Sequence, residues 1–122
     1  MSQKLHIAAY AAVILSAPPA MAEPLPEVAR FFNDCAGRVA GHLSVHGWNA
    51  GGAVTTDHLE SIDAIVRSVT TPEHESELAA RQSAARAAHV ALLAHAMEYG
   101  DLTAIRQARE DVVRCREAVL VP

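Results

Sequence analysis

The only two cysteines of the chain, Cys35 and Cys115, stand 80 residues apart, and each lies on an apolar stripe of helical period. Phe32, Cys35, Val39, His42 and His46 recur three and four apart on the first stripe, and Ile105, Ala108, Val112, Cys115 and Val119 do so on the last. This placement limits the chain to folds that bring its first and last helices together. Neither cysteine belongs to a Cys-x-x-Cys or Cys-x-x-Cys-His element, which disfavours thioredoxin-like redox chemistry and c-type haem attachment. One structural disulfide is the expectation.

Such a bond needs an oxidising compartment, and the N-terminus offers a route to one. Lys4 precedes an apolar run from Ile7 to Leu15, and Ala20-Met21-Ala22 is a small-x-small site, so residues 1–22 read as a cleavable export signal. The run falls short of the about 20 residues that span a bilayer, and Pro18-Pro19 interrupts its end. No cysteine follows the cleavage site to carry a lipid, so residues 23–122 are expected to form a periplasmic or secreted domain without a membrane anchor. Beyond residue 22, nine arginines face fourteen carboxylates. That acidic balance argues against nucleic acid and anionic lipid as partners and leaves a protein or a small molecule. A domain this small buries only about two thirds of its unfolded surface. Closing the long loop between the cysteines would stabilise it by roughly 4 to 5 kcal/mol in the chain-entropy picture.

The rest of the chain predicts an all-α, four-helix up-down bundle with a short second helix, since no segment alternates long enough for a strand. Helix one is expected from Pro26 or Glu27 to about His46, ended by Gly47. Helix two, of about 14 residues, is expected to start at an Asp57/Glu60 capping box, with Leu59, Ile62, Ile65 or Val66, and Val69 on its apolar face. Thr71-Pro72-Glu73 announces helix three, which runs to Tyr99 along Leu78, Gln82, Ala85, His89, Leu92 and Ala96, with Glu77 and Arg81 placed to pair. Gly100 ends it, and Asp101 caps helix four. Antiparallel packing of the first and last helices places Cys35 and Cys115 within about 6 Å in height. Gly37 and Gly41 permit a close helix approach.

A helix three twice as long as helix two leaves one neighbour missing along half its length. Either it kinks, or the loop from Trp48 to Thr56 covers it. The second option predicts a pocket near Gly41, Trp48 and Leu92, on the half of the bundle that holds His42, His46, His89 and His95. His42 and His46 are one helical turn apart, a spacing that holds zinc or copper when a third imidazole from His89 or His95 converges. Haem is disfavoured, because Met97 is the only methionine after the leader and helix four has no histidine. Asp34, Asp63, Glu98 and Asp101 form no recognisable acid–base motif, and Ser44, Ser61 and Ser83 lack a nucleophile elbow. No catalytic residue is assigned. His74, among Glu73, Glu75 and Glu77, is the histidine placed to gain a proton near neutral pH.

The segment Phe31-Phe32-Asn33-Asp34-Cys35-Ala36-Gly37-Arg38, behind a leader and with a second cysteine in the last helix, resembles a group of small exported bacterial helical proteins. The shared marks are the Cys-Ala-Gly-Arg element and the C-terminal cysteine. The resemblance implies export and a two-cysteine helical layout. The group has no assigned activity, and so no site residue is carried over. Together these readings favour a non-catalytic interaction or small binding module, with a periplasmic metal-binding protein as the alternative.

Overall fold

Prolines and glycines set the helix ends. In the computed structural model, which describes residues 23–47 and 52–120, helix α1 spans Glu27–His46 and starts directly after Pro26. Pro26 is tolerated there because its carbonyl, which accepts the Arg30 N–H at 3.0 Å, is what the first turn needs. Gly47, at φ 97°, closes the helix by donating its N–H to the Leu43 carbonyl at 2.7 Å. Helix α2 is Thr56–Ser68, a 3-10 turn covers Pro72–His74, α3 is Glu75–Tyr99 and α4 is Leu102–Leu120. No strand occurs among the described residues, and the fold is an all-α bundle. Residues 1–22, which the sequence pattern reads as an export signal, and Trp48 lie outside the described residues.

Helix α3 is one continuous helix, so the mismatch in helix lengths is not resolved by a break. Gly100, left-handed at φ 61°, stops it, and the Asp101 carboxylate accepts the Ala104 N–H at 3.1 Å at the start of α4. Two other helix starts depart from expectation. The box at α2 is formed by Thr55 and His58, not Asp57 and Glu60: the Thr55 N–H donates to His58 Nδ1 at 2.9 Å. His74 is buried, not a solvated member of an acidic helix start. Its Nδ1 accepts the Thr71 N–H at 3.2 Å and its Nε2–H donates to the Glu23 carbonyl at 2.7 Å. An imidazole nitrogen serves in both places as the acceptor that Glu or Gln supplies in the usual box.

Helix α1 is the hub. It packs on all three other helices and most extensively on α3, while α2 and α3 have no close backbone approach and meet through side chains, Asp63 with Gln82. Pairs across α1 and α3 advance together: Asn33 with Leu78, Gly37 with Ala85, His42 with His89. The two helices are parallel, whereas α4 returns antiparallel to α1, with Cys115 at Cys35 and Ile105 and Arg109 beside Leu43.

The core fills the space between α1, α2 and α4. Cys35, Val39, Leu43, Ala53, Val54, Ile62, Val112 and Cys115 form one buried cluster, with Phe32, Leu59, Val113 and Val119 packed on it. The Cys35–Cys115 disulfide is at its centre, with Cα atoms 5.6 Å apart. The two apolar stripes thus meet as their spacing predicts. Ala53 and Val54 come from the loop before α2, and that loop caps the cluster; the Ala53 carbonyl accepts a hydrogen bond from Arg116 at 2.8 Å.

The side of α1 facing α3 is built differently. A Cβ on Gly37 would collide with the Gln82 carbonyl oxygen and come within 2.8 Å of the Ala85 methyl, and one on Gly41 would lie 3.0 Å from the Arg86 carbonyl. The missing side chains let the backbones approach. Polar links fill the rest: Asn33 donates to the Leu78 carbonyl at 2.9 Å, and Asp34 takes Arg81 as ion-pair partner at 3.2 Å in place of Glu77.

Candidate functional site

A cleft of about 230 Å³ opens at the end of the bundle where α1 finishes. Its apolar wall comes from Leu43 of α1, Ala53 and Val54 of the loop, Leu93 of α3 and Ile105 of α4. Polar groups enter from two sides: His42 and His46 from α1, and Arg109 from α4. The local reasons are simple. Four-residue spacing puts His42 and His46 on one face one turn apart, and the same spacing aligns Ile105 with Arg109 on α4. Gly47 ends α1 at this level and lines the cleft.

His42 and His89 form the polar back of the site. His42 Nδ1 and His89 Nε2 are 3.1 Å apart in a buried hydrogen bond. One ring donates and the other accepts, which requires at least one to be neutral. Burial lowers the His42 pKa from 6.5 to about 4, reinforced by His46, His89 and Arg109. Burial also lowers that of His89, with Arg38 and His46 adding to the effect and Asp111 opposing it. Both imidazoles are therefore neutral at pH 7. His46 is exposed and its ring centroid lies 4.5 Å from that of His42.

The four histidines singled out in the sequence divide three to one. His42, His46 and His89 come together, while His95 is exposed on another face of α3, its ring against Tyr99 at 4.8 Å. Among the described residues no group of three or more His, Cys, Asp or Glu side chains is arranged to hold a metal ion. The pocket expectation shifts by a small distance. Gly41 is not a cleft residue, because it lies against Arg86 and Val90 of α3, and Leu93 lines the cleft where Leu92 was expected. Arg109, Leu43 and Ile105 were not anticipated. The signal available was the register of α4, which places Arg109 and Ile105 about two and three turns from Cys115 on the end where the loop lies.

Among the described residues, no pair in the cleft resembles a nucleophile with its base, and none of the lining side chains is a carboxylate. An apolar wall, hydrogen-bonding imidazoles and one guanidinium can fix the orientation of a small occupant. No helix among the described residues is long and apolar enough to cross a membrane. Comparison with known proteins finds no matching family model, no matching curated protein and no matching solved structure.

Proposed function

We propose that the protein is an exported, non-catalytic binding module that takes a small molecule in the cleft at the end of α1. The cleft carries the reading, because an apolar wall with a few convergent polar groups is the usual form of a small-ligand site. Export rests on the leader pattern of residues 1–22 and on the Cys35–Cys115 bond, which forms and persists outside the reducing cytoplasm. Native mass spectrometry of the protein exported by its own host tests both. The chain begins at Glu23 with its disulfide intact and carries a small-molecule adduct, and Ile105→Trp, which fills the cleft from its rim, removes that adduct. A chain that retains residues 1–22 ends the export reading, and an adduct indifferent to Ile105→Trp ends the cleft reading.

A metal reading has one observation in its favour. The 3.1 Å between His42 Nδ1 and His89 Nε2 is close to the spacing of two nitrogens each about 2.0 to 2.1 Å from one zinc ion. The absence of a third suitably placed ligand among the described residues weighs against it. Titration of metal-free protein with zinc and copper decides. Affinity tighter than micromolar, lost in His89→Phe, would install the metal in place of the small organic ligand.

A further inference from the structure

We propose that the ligand of this cleft is a small monocarboxylate with a compact apolar body, its carboxylate held between Arg109 and the His42 ring. This inference deepens the cleft reading and rests on it.

Four observations converge on that class. The chain has fourteen carboxylates, yet among the described residues none lines the cleft, so no lining carboxylate attracts a cationic ligand. Among the described residues Arg109 is the one fixed positive charge on the lining, and the ion pair found there, Arg81 with Asp34, does not involve it. A guanidinium presents a planar fork of donors that matches a carboxylate. The wall formed by Leu43, Val54, Leu93 and Ile105 is wholly apolar and suits a hydrocarbon body. At about 230 Å³ the cleft exceeds the roughly 150 Å³ cavity that accepts benzene, so an aryl or branched-alkyl acid fits.

The His42–His89 bond sets the polarity of the donor. His42 lines the cleft and its Nδ1 is engaged by His89, so Nε2 is the nitrogen left for an occupant. If His89 Nε2–H donates to His42 Nδ1, the proton of neutral His42 resides on Nε2 and is available to a carboxylate. A carboxylate stabilises that tautomer. A ligand that donates a hydrogen bond stabilises the opposite one. No proton leaves or joins the protein in either case. The groups facing the pair are His46 and Arg109 at His42, and Arg38 and Asp111 at His89.

The test uses three probes on the oxidised protein at pH 7, followed by amide and imidazole NMR: phenylacetate, its neutral isostere phenylacetamide, and phenethylamine. The inference expects phenylacetate to shift the resonances of His42, Val54, Leu93 and Ile105, with phenylacetamide at least tenfold weaker and phenethylamine without effect. In Arg109→Gln, an exposed substitution whose unchanged melting temperature verifies folding, the preference for phenylacetate over phenylacetamide disappears. Equal affinity of the acid and the amide, or a preference that survives Arg109→Gln, overturns the carboxylate assignment while the cleft remains a binding site. Perturbation by none of the probes, in a protein that also yields no adduct from its host, overturns the cleft reading itself.

Discussion

The two faces of α1 solve the same problem with different physics. Toward α2 and α4 it presents Cys35, Val39 and Leu43, which bury apolar surface around a covalent bond. Toward α3 it presents Gly37 and Gly41, which bury almost nothing themselves but let backbones close, and Asn33, Asp34 and His42, which bond across the gap. A face that relies on burial tolerates no polar group. A face that relies on close approach has room for polar groups between its contact points, and the candidate site grows from its C-terminal end, where His42 meets His89. The difference teaches why the imidazole pair is on this side: desolvated by neighbouring helices, yet joined to a cleft whose apolar wall is borrowed from the other face.

The comparison can be broken most severely at the disulfide. Reduction, or Cys115→Ala, removes the tie across the apolar face and lowers stability by about 2 to 5 kcal/mol, read as a shift in the urea midpoint between oxidised and reduced protein. Next is Gly37→Ala. Its methyl meets backbone on α3 as well as the Ala85 side chain, so neither can swing away, and overpacking costs about 1 to 3 kcal/mol. Gly41→Ala, whose added atom meets the Arg86 carbonyl at 3.0 Å and a movable Val90 methyl at 3.2 Å, costs less. Equal midpoints for the two variants would show that the approach is not closest at Gly37.

Acid weakens the polar face. The His42 pKa is depressed in the folded state, so the unfolded chain binds the proton first as pH falls. The stability from this group is complete above pH 6.5 and is lost progressively as pH drops to about 4. His89 acts in the same direction. With the cleft side of the ring open to solvent, the loss is about 1 to 2 kcal/mol. In His42→Asn the denaturation midpoint should change less with pH across that window. The smallest effect is expected at the Asp34–Arg81 pair, where both side chains are partly exposed at 28% and 39%. Asp34→Asn costs at most about 1 kcal/mol and its cost shrinks further in salt.

Features with local causes were legible in the sequence. Pro26, Gly47, Gly100 and Asp101 mark helix ends through backbone chemistry that needs no tertiary context. The disulfide was legible because two stripes each carried one cysteine at a core position. The histidine caps at His58 and His74 were missed, since the pattern sought a carboxylate or amide three residues after the cap. The parallel closeness of α1 and α3 was also hidden. Gly37 and Gly41 permit a close approach but do not name the helix that makes it. The site was legible in part: spacing gave His42 and His46, but only the fold brings His89 to them and sends His95 away. Arg109 carries no motif and is recognised by what surrounds it.

The account stands on a buried, neutral His42–His89 pair behind the cleft. Long-range proton–nitrogen NMR of the two imidazoles across pH 3 to 8 reads that directly. The account predicts both rings neutral at pH 7, one hydrogen bond between His42 Nδ1 and His89 Nε2, and a His42 midpoint near 4. Two rings titrating independently near 6.5, the ordinary histidine value, with no proton shared between them, would contradict it.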